Sequence, residues 1–274
     1  MVPIYCENKN SLYMIHKFSQ HFPPHLHETI EMIYITSGTL ELGIEQELFH
    51  MEKGDFAIVF PNLVHHYQVF SEGSNSAIYV YPVVSATGNF HEELYKYQPK
   101  NPIISEKDIH RDVLNAILAL NKEENMDPVI AQSYVQIILA RCMPLYELIE
   151  KQANQGDTIY RTVSYIAAHF KEDITLNTMS KALAINKYAL SRIFSGVFHT
   201  NFNQYVNEHR LNYVSAMLEY SDEPITNICL EAGFQSQRTF NRAFQDKFHM
   251  TPREYRNRYR ERLLVKKENS NENM

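Results

Sequence analysis

The sequence contains no uninterrupted apolar run of the roughly 18 residues that a membrane-spanning helix needs, and its first residues, MVPIYCENKNSLYMIHKF, lack the basic-then-apolar build of a signal peptide. This pattern excludes a helical membrane protein and predicts a cytoplasmic one. Cysteine is scarce: Cys6, Cys142 and Cys229 are odd in number and far apart, which suits reduced thiols better than a disulfide framework. Positive charge is also short, the net balance being −6, which looks unfavourable for a nucleic-acid binder until the chain is divided. Apolar material is not lacking. A chain of 274 residues with 44% apolar composition is long enough for two cored domains and too apolar for wholesale disorder.

Residues 1–156 carry 10 Lys+Arg against 19 Asp+Glu, a balance of −9, whereas residues 157–274 carry 16 against 13, a balance of +3. That asymmetry agrees with an acidic sensing part joined to a basic binding part. Arg253, Arg256, Arg258, Arg260, Arg262, Lys266 and Lys267 crowd the end of the chain, where a solvated helix face and direct phosphate contact account for them equally well.

Within the basic part, ITNICLEAGFQSQRTFNRAFQDKFHMTPREYR (225–256) places Ile225, Ile228, Ala232 and Phe234 along one side of a short helix. Gly233 permits a sharp turn, and Ser236 can cap a second helix that buries Phe240, Phe244 and Phe248. Gln237, Arg238, Asn241 and Arg242 then face outward, a set able to hydrogen-bond base edges and phosphates of double-stranded DNA. The pattern occurs once more at a constant offset of 50: Leu190, Arg192, Phe194, Phe198, His199 and Tyr205 align with Phe240, Arg242, Phe244, Phe248, His249 and Tyr255. In the earlier copy Asn186 caps the helix, and Tyr188, Ser191 and Arg192 fall on its outward face. A long helix from Phe202 to Leu218 connects the copies, and on it Arg210 is expected to pair with a carboxylate.

With both copies in view, the last hundred or so residues resemble the C-terminal domain of AraC/XylS-type transcription regulators. The resemblance is carried by Ile228, Gly233, Phe234, Ser236, Gln237, Phe240, Arg242, Phe244, Thr251, Pro252, Tyr255 and Arg256. It departs at Cys229, at Gln245 and at His199 and His249, which replace the turn glycine in both copies. Those histidines must accept a left-handed backbone or change the turn. The resemblance implies sequence-specific DNA binding and, by family tendency, activation, with RNA polymerase as a further partner.

The first 90 residues alternate apolar and polar in short runs such as MIYIT, LELGI and AIYVYPVV, which predicts a compact β domain. Within it His25, His27 and Glu31 precede Gly38, and Gly54, Asp55, Pro61, His65 and Tyr67 follow. This resembles the cupin pattern, with Leu63 where metal-binding cupins commonly have Gly. Alternation would put both early imidazoles on the inner face of one strand, where Glu31 and His65 could complete a divalent metal site. His65 and His66 are adjacent, so only one points inward. A pocket or packing role is expected over a metal or other cofactor, with His25, His27, Glu31, Tyr34, His65, Tyr67 and Tyr79 as candidates to line a small-molecule effector site. A carbohydrate suits rings and carboxylates. A metal-dependent cupin enzyme fused to a DNA-binding domain, and a regulator answering to a protein partner, are the alternatives; an enzyme is not expected.

Helical spacing begins at Glu106 and predicts two amphipathic helices, the second ending near Lys151. The resemblance implies that they form a homodimer contact, as two half-sites read by a symmetric pair would require. The expected architecture is a two-domain α+β chain: a cupin-like β-barrel (jelly roll) over 1–104, a helical dimerisation segment over 105–151, a linker over 152–158, an all-α domain with two helix-turn-helix motifs over 159–264 and a polar tail over 265–274.

Overall fold

The computed structural model describes residues 12–259 apart from 20, 46, 72, 123–125 and 152–157. The chain forms two compact units that divide after Ser164. In the first, one sheet has the strand order β1 (Tyr13–Phe18), β8 (Ser76–Tyr81), β3 (Glu31–Ser37), β6 (Phe56–Val59), β10 (Ile103–Ile104). The other runs β2 (Phe22–His25), β7 (His65–Gln68), β4 (Thr39–Ile44), β5 (Glu47–Glu52). The sheets meet face to face and are not joined strand to strand into a closed barrel; the Tyr67 and Tyr79 rings touch across the gap at 5.8 Å between centroids. Period-two alternation selects what enters this gap. Ile33, Ile35, Leu40, Leu42, Met51 and Phe56 are all buried, giving the unit its apolar core.

Helices α1 (His91–Lys96), α2 (Arg111–Lys122) and α3 (Pro128–Cys142) belong to the same unit: α2 packs on α3 and on β1, and α3 packs on the 84–90 segment. The segment from 105 to 151 thus belongs to the same compact unit as the two sheets. The sequence spacing carries the second helix to near Lys151, but α3 stops at Cys142. Pro144 has no amide hydrogen to continue it, and a single 3-10 turn (Met143–Leu145) follows. The chain then enters a strand, β11 (Leu148–Glu150), which pairs antiparallel with β9 (Tyr97–Pro99). The predicted linker lies outside the described residues except for Thr158, which already opens α4 (Thr158–His169).

The second unit contains α5 (Leu176–Leu183), α6 (Lys187–Gly196), the connector α7 (Phe202–Tyr220), α8 (Ile225–Glu231), α9 (Gln237–Phe248) and α10 (252–259). The repeat seen in the sequence is a repeat of packing. Phe194 meets Tyr205 and Phe244 meets Tyr255, each at 5.5 Å between ring centroids, while Phe198–Tyr205 and Phe248–Tyr255 lie at 4.9 and 5.0 Å. His199 and His249 keep the turn by taking φ of 49° and 55°, the left-handed conformation that a glycine would accept more cheaply. Arg210 does not pair with a carboxylate as expected. Its guanidinium donates to the carbonyls of Phe170 and Glu172, both at 2.8 Å, just past the C-terminal end of α4. Orphan helix carbonyls attract a buried cation there. Gly233 completes this junction: at φ of 84°, a Cβ would lie 2.5 Å from the Lys171 carbonyl oxygen.

Candidate effector site and DNA-reading faces

Four of the predicted residues of the sheet unit come together. His25, His27, Glu31 and His65 are all buried, and one ligand atom from each lies within 4.8 Å of the others. Glu31 arrives from the five-stranded sheet, His25 and His65 from the other, where they face each other in the β2–β7 register. The expectation that His25 and His27 share a strand face fails, because β2 ends at His25. His27 lies in the following turn and returns to the site from there.

The backbone fixes the orientation of each imidazole. His25 Nδ1 donates to the Pro23 carbonyl at 3.0 Å, His27 Nδ1 to Thr29 at 2.8 Å and His65 Nδ1 to Leu63 at 2.9 Å. A carbonyl only accepts, so Nδ1 carries the hydrogen in all three rings and a neutral ring presents a lone pair on Nε2. Two of these Nε2 atoms close on the same carboxylate oxygen, Glu31 Oε2, at 3.2 Å from His27 and 3.0 Å from His65. The Tyr81 hydroxyl donates to the other oxygen, Oε1.

Burial lowers the His25 and His65 pKa values, and keeps both rings neutral at ordinary pH. Burial alone would raise the Glu31 carboxyl, but the hydrogen bonds and charges of His27 and His65 outweigh it and hold the group well below the usual carboxylate range. A neutral His65 spends its one ring hydrogen on the Leu63 carbonyl, so its Nε2 lone pair faces Glu31 Oε2. The donor set of three imidazoles and one carboxylate, each imidazole oriented by a carbonyl, fits a divalent transition metal.

The remaining sheet-unit candidates divide. Tyr67 and Tyr79 point inward; the Tyr67 hydroxyl lies beside Glu31 without reaching hydrogen-bond geometry, and Tyr79 shares a 3.2 Å hydrogen bond with Ser19. Tyr34 is not at the site. One residue out of phase with Glu31 and Ile33 on β3, it is half-exposed on the opposite face, where burial and the charge of Glu106 raise its pKa. His66 likewise faces away from the cluster and packs over Gly43, where a Cβ would lie 1.9 Å from its ring. Tyr81 was missed in the sequence. Its place two residues after Tyr79 on β8 was the available signal.

On the helical unit every predicted DNA-facing residue is exposed: Asn186, Tyr188, Ser191 and Arg192 on the first motif, Ser236, Gln237, Arg238, Asn241 and Arg242 on the second. Both caps form, Asn186 Oδ1 accepting from the Tyr188 amide at 2.8 Å and Ser236 Oγ from the Thr239 amide at 3.2 Å. The offset of 50 pairs the two faces position by position: Tyr188 with Arg238, Ser191 with Asn241, Arg192 with Arg242. It also pairs Lys187 with Gln237, which adds Lys187, exposed on α6, to the first face. Lys187 and Ser191 further line a cleft of about 500 Å³ bounded by Thr175 and Asn201, the N-caps of α5 and α7.

Two helix pairs of this kind, each presenting a capped and polar second helix, define a helix-turn-helix transcription regulator. A family model described as a helix-turn-helix domain matches residues 179–258, and one described as a cupin domain matches residues 12–81. Regulatory protein SoxS of Salmonella typhimurium is 30% identical over 100 residues, 36% of this chain and 94% of SoxS. The chain belongs to the AraC-type family of transcription regulators, with a cupin domain ahead of the DNA-binding one. An uncharacterized HTH-type transcriptional regulator of Staphylococcus aureus (strain COL) is 24% identical over 229 residues, 81% of this chain; the chain spans 31% of that relative's length. Apo ToxT from Vibrio cholerae has a similar fold, with a TM-score of 0.53 at 13% identity over 90% of this chain and 97% of that one. Among the described residues no helix is long and apolar enough to cross a membrane.

Proposed function

We propose that the chain regulates transcription by reading two segments of one DNA face with α6 and α9, under the control of a divalent metal held by His25, His27, Glu31 and His65. The observation that carries the effector assignment is the convergence of Nε2 lone pairs on one carboxylate, with all three Nδ1 atoms committed to carbonyls. The cluster lies 0–6% exposed. Such burial leaves little room for a substrate beside an ion at the same atoms, and supports a sensor over a cupin enzyme. The test is metal analysis and Zn²⁺ titration calorimetry of the purified protein. One equivalent bound, and lost in His65→Ala, is the expected result; absence of stoichiometric binding rejects the metal.

A second reading keeps a small organic effector, such as a carbohydrate, and rests on the buried Tyr67 hydroxyl, which has no hydrogen-bond partner among the described residues. A ligand oxygen reaching it would relieve that cost. Thermal-shift screening with sugars separates the two, because a ligand bound only by the native state raises the melting temperature.

On α3, Val129, Ile130 and Ile137 stand 71%, 48% and 39% exposed. This stripe supports a homodimer, which sedimentation of wild type against Ile137→Glu checks. Activation through RNA polymerase rests on family tendency, and selection of bound genomic fragments followed by in vitro transcription tests its sign.

A further inference from the structure

The half-buried lysine at the end of the sheet unit is explained neither by the metal-ligand set nor by the DNA-reading faces. Lys151 follows β11 and is the last described residue before 152–157, through which the chain passes to α4. Its backbone amide donates to the Lys96 carbonyl at 3.0 Å, extending the β9–β11 pairing. Its ammonium donates to two further carbonyls, Pro61 at 2.7 Å and Leu94 at 2.8 Å, and lies 5.9 Å from the centre of the Phe60 ring. Burial lowers its pKa to about 8. Surface lysines keep their ammonium in water. This one is partly withdrawn from it and holds main chain.

Both carbonyls lead back to the metal-type cluster. Pro61 opens the turn before β7: the Asn62 amide donates to the His27 carbonyl at 2.8 Å, and the Leu63 carbonyl holds His65 Nδ1. Asn62 has φ of 62°, so this turn is tightly constrained. Leu94 lies on α1, and the neighbouring Tyr95 hydroxyl donates at 2.6 Å to the Glu28 carbonyl, between His27 and Glu31. One side chain thereby grips the loop that orients His65 and the helix that holds the turn between His27 and Glu31.

We infer that Lys151 is a positioning residue that ties the strand leaving the sheet unit to both halves of the site, so that a change at the site is delivered to the start of the connection toward the DNA-reading unit. The contacts form one continuous physical path, with two hydrogen-bonded routes from the cluster meeting at a single ammonium. The inference takes the cluster as the sensing site, as proposed above, and its test does not require that the occupant be a metal.

The experiment is hydrogen–deuterium exchange on the full chain, following the peptide that spans 146–151 in a double-mutant cycle of His65→Gln and Lys151→Met. With Lys151 present, His65→Gln is expected to speed exchange of this peptide by about tenfold, and with Met at that position to add nothing. Lys151→Arg, which keeps donors at the position, is expected to restore the response while the β3 and β8 amides stay protected. Equal acceleration with and without Lys151, no acceleration in either background, or failure of Arg to restore it with native β3 and β8 protection overturns the inference. Zn²⁺ titration of the wild type runs alongside. Lack of Zn²⁺ binding with the coupling intact rejects the metal and leaves the Lys151 path standing; Zn²⁺ binding with no coupling does the reverse.

Discussion

The two units place their polar residues in opposite ways. In the sheet unit the functional candidates are buried and converge, held by backbone carbonyls and by each other. In the helical unit they are exposed and diverge from a packed aromatic core, held only by the helix that carries them. A buried polar group is costly unless its partners are fixed, so the first site is inseparable from the stability of its fold. An exposed reading face is free to change with little effect on folding, which lets one scaffold read different sequences.

The largest test of this contrast is Glu31→Ala. Removing the carboxylate that accepts from Tyr81 and closes on His27 and His65 is expected to destabilise the sheet unit by about 3 kcal/mol, measured by urea unfolding, the upper end of the cost of leaving a buried polar group without its partner. Arg238→Ala should leave the unfolding midpoint unchanged. If both variants unfold alike, the distinction between the two sites is wrong.

A pH titration follows, because the helical unit also contains a buried polar exception. His209 on α7 lies against the Tyr205 ring, with Glu208 and Lys247 close by; burial first and the Lys247 charge second depress its pKa from 6.5 to about 3. The unfolded chain takes up this proton first. Stability is therefore full above 6.5 and falls with pH between 6.5 and about 3, by about 1.4 kcal/mol per pH unit where only the unfolded state is protonated. His209→Gln is expected to flatten this acid limb in a series of thermal melts. An unchanged slope would remove His209 as its cause.

Smaller effects concern the two readers. Arg238→Ala is expected to weaken specific DNA binding by about 1–3 kcal/mol and relax preference at one or two base pairs, read by fluorescence anisotropy on a selected fragment. Equal loss on all sequences would assign Arg238 to phosphate. Tyr188→Ala on the first motif probes the matching position, since Tyr188 is 80% exposed and presents a ring where the second motif has a guanidinium. Its loss is expected to cost binding without a bidentate base preference. Smallest of all, Ser236→Ala and Asn186→Ala should each cost about 1 kcal/mol of stability through loss of a cap. A difference between them would show that the copies depend unequally on their first turns.

The repeat shows how far the sequence could be followed. From each cap the offset of 50 holds in burial as far as Gly196 and Asp246, and beyond them in ring contacts and turn conformation, although Phe248 and Tyr255 are less buried than Phe198 and Tyr205, because helix packing depends on spacing that the sequence states directly. Before the caps it slips. The left-handed residue of the first turn is Ala184, two residues ahead of Asn186, whereas in the second it is Gly233, three ahead of Ser236. The second turn is one residue longer, and its close approach to the Lys171 carbonyl requires glycine.

By itself, the sequence determined the order of a β unit and a helical unit, the two motifs with their caps and outward residues, and the four residues of the buried cluster. These follow from local periodicity and from side-chain chemistry at short spacing. Tertiary structure decided what depends on distant chain segments: that His27 reaches the cluster from a turn, that Tyr81 and not Tyr34 meets Glu31, that Arg210 caps a helix end, and that Lys151 holds two carbonyls, one in a turn 90 residues away and one on a helix 57 residues away. A backbone carbonyl is present at every residue and leaves no mark in the sequence, so which one a side chain will find is set only when the chain has folded.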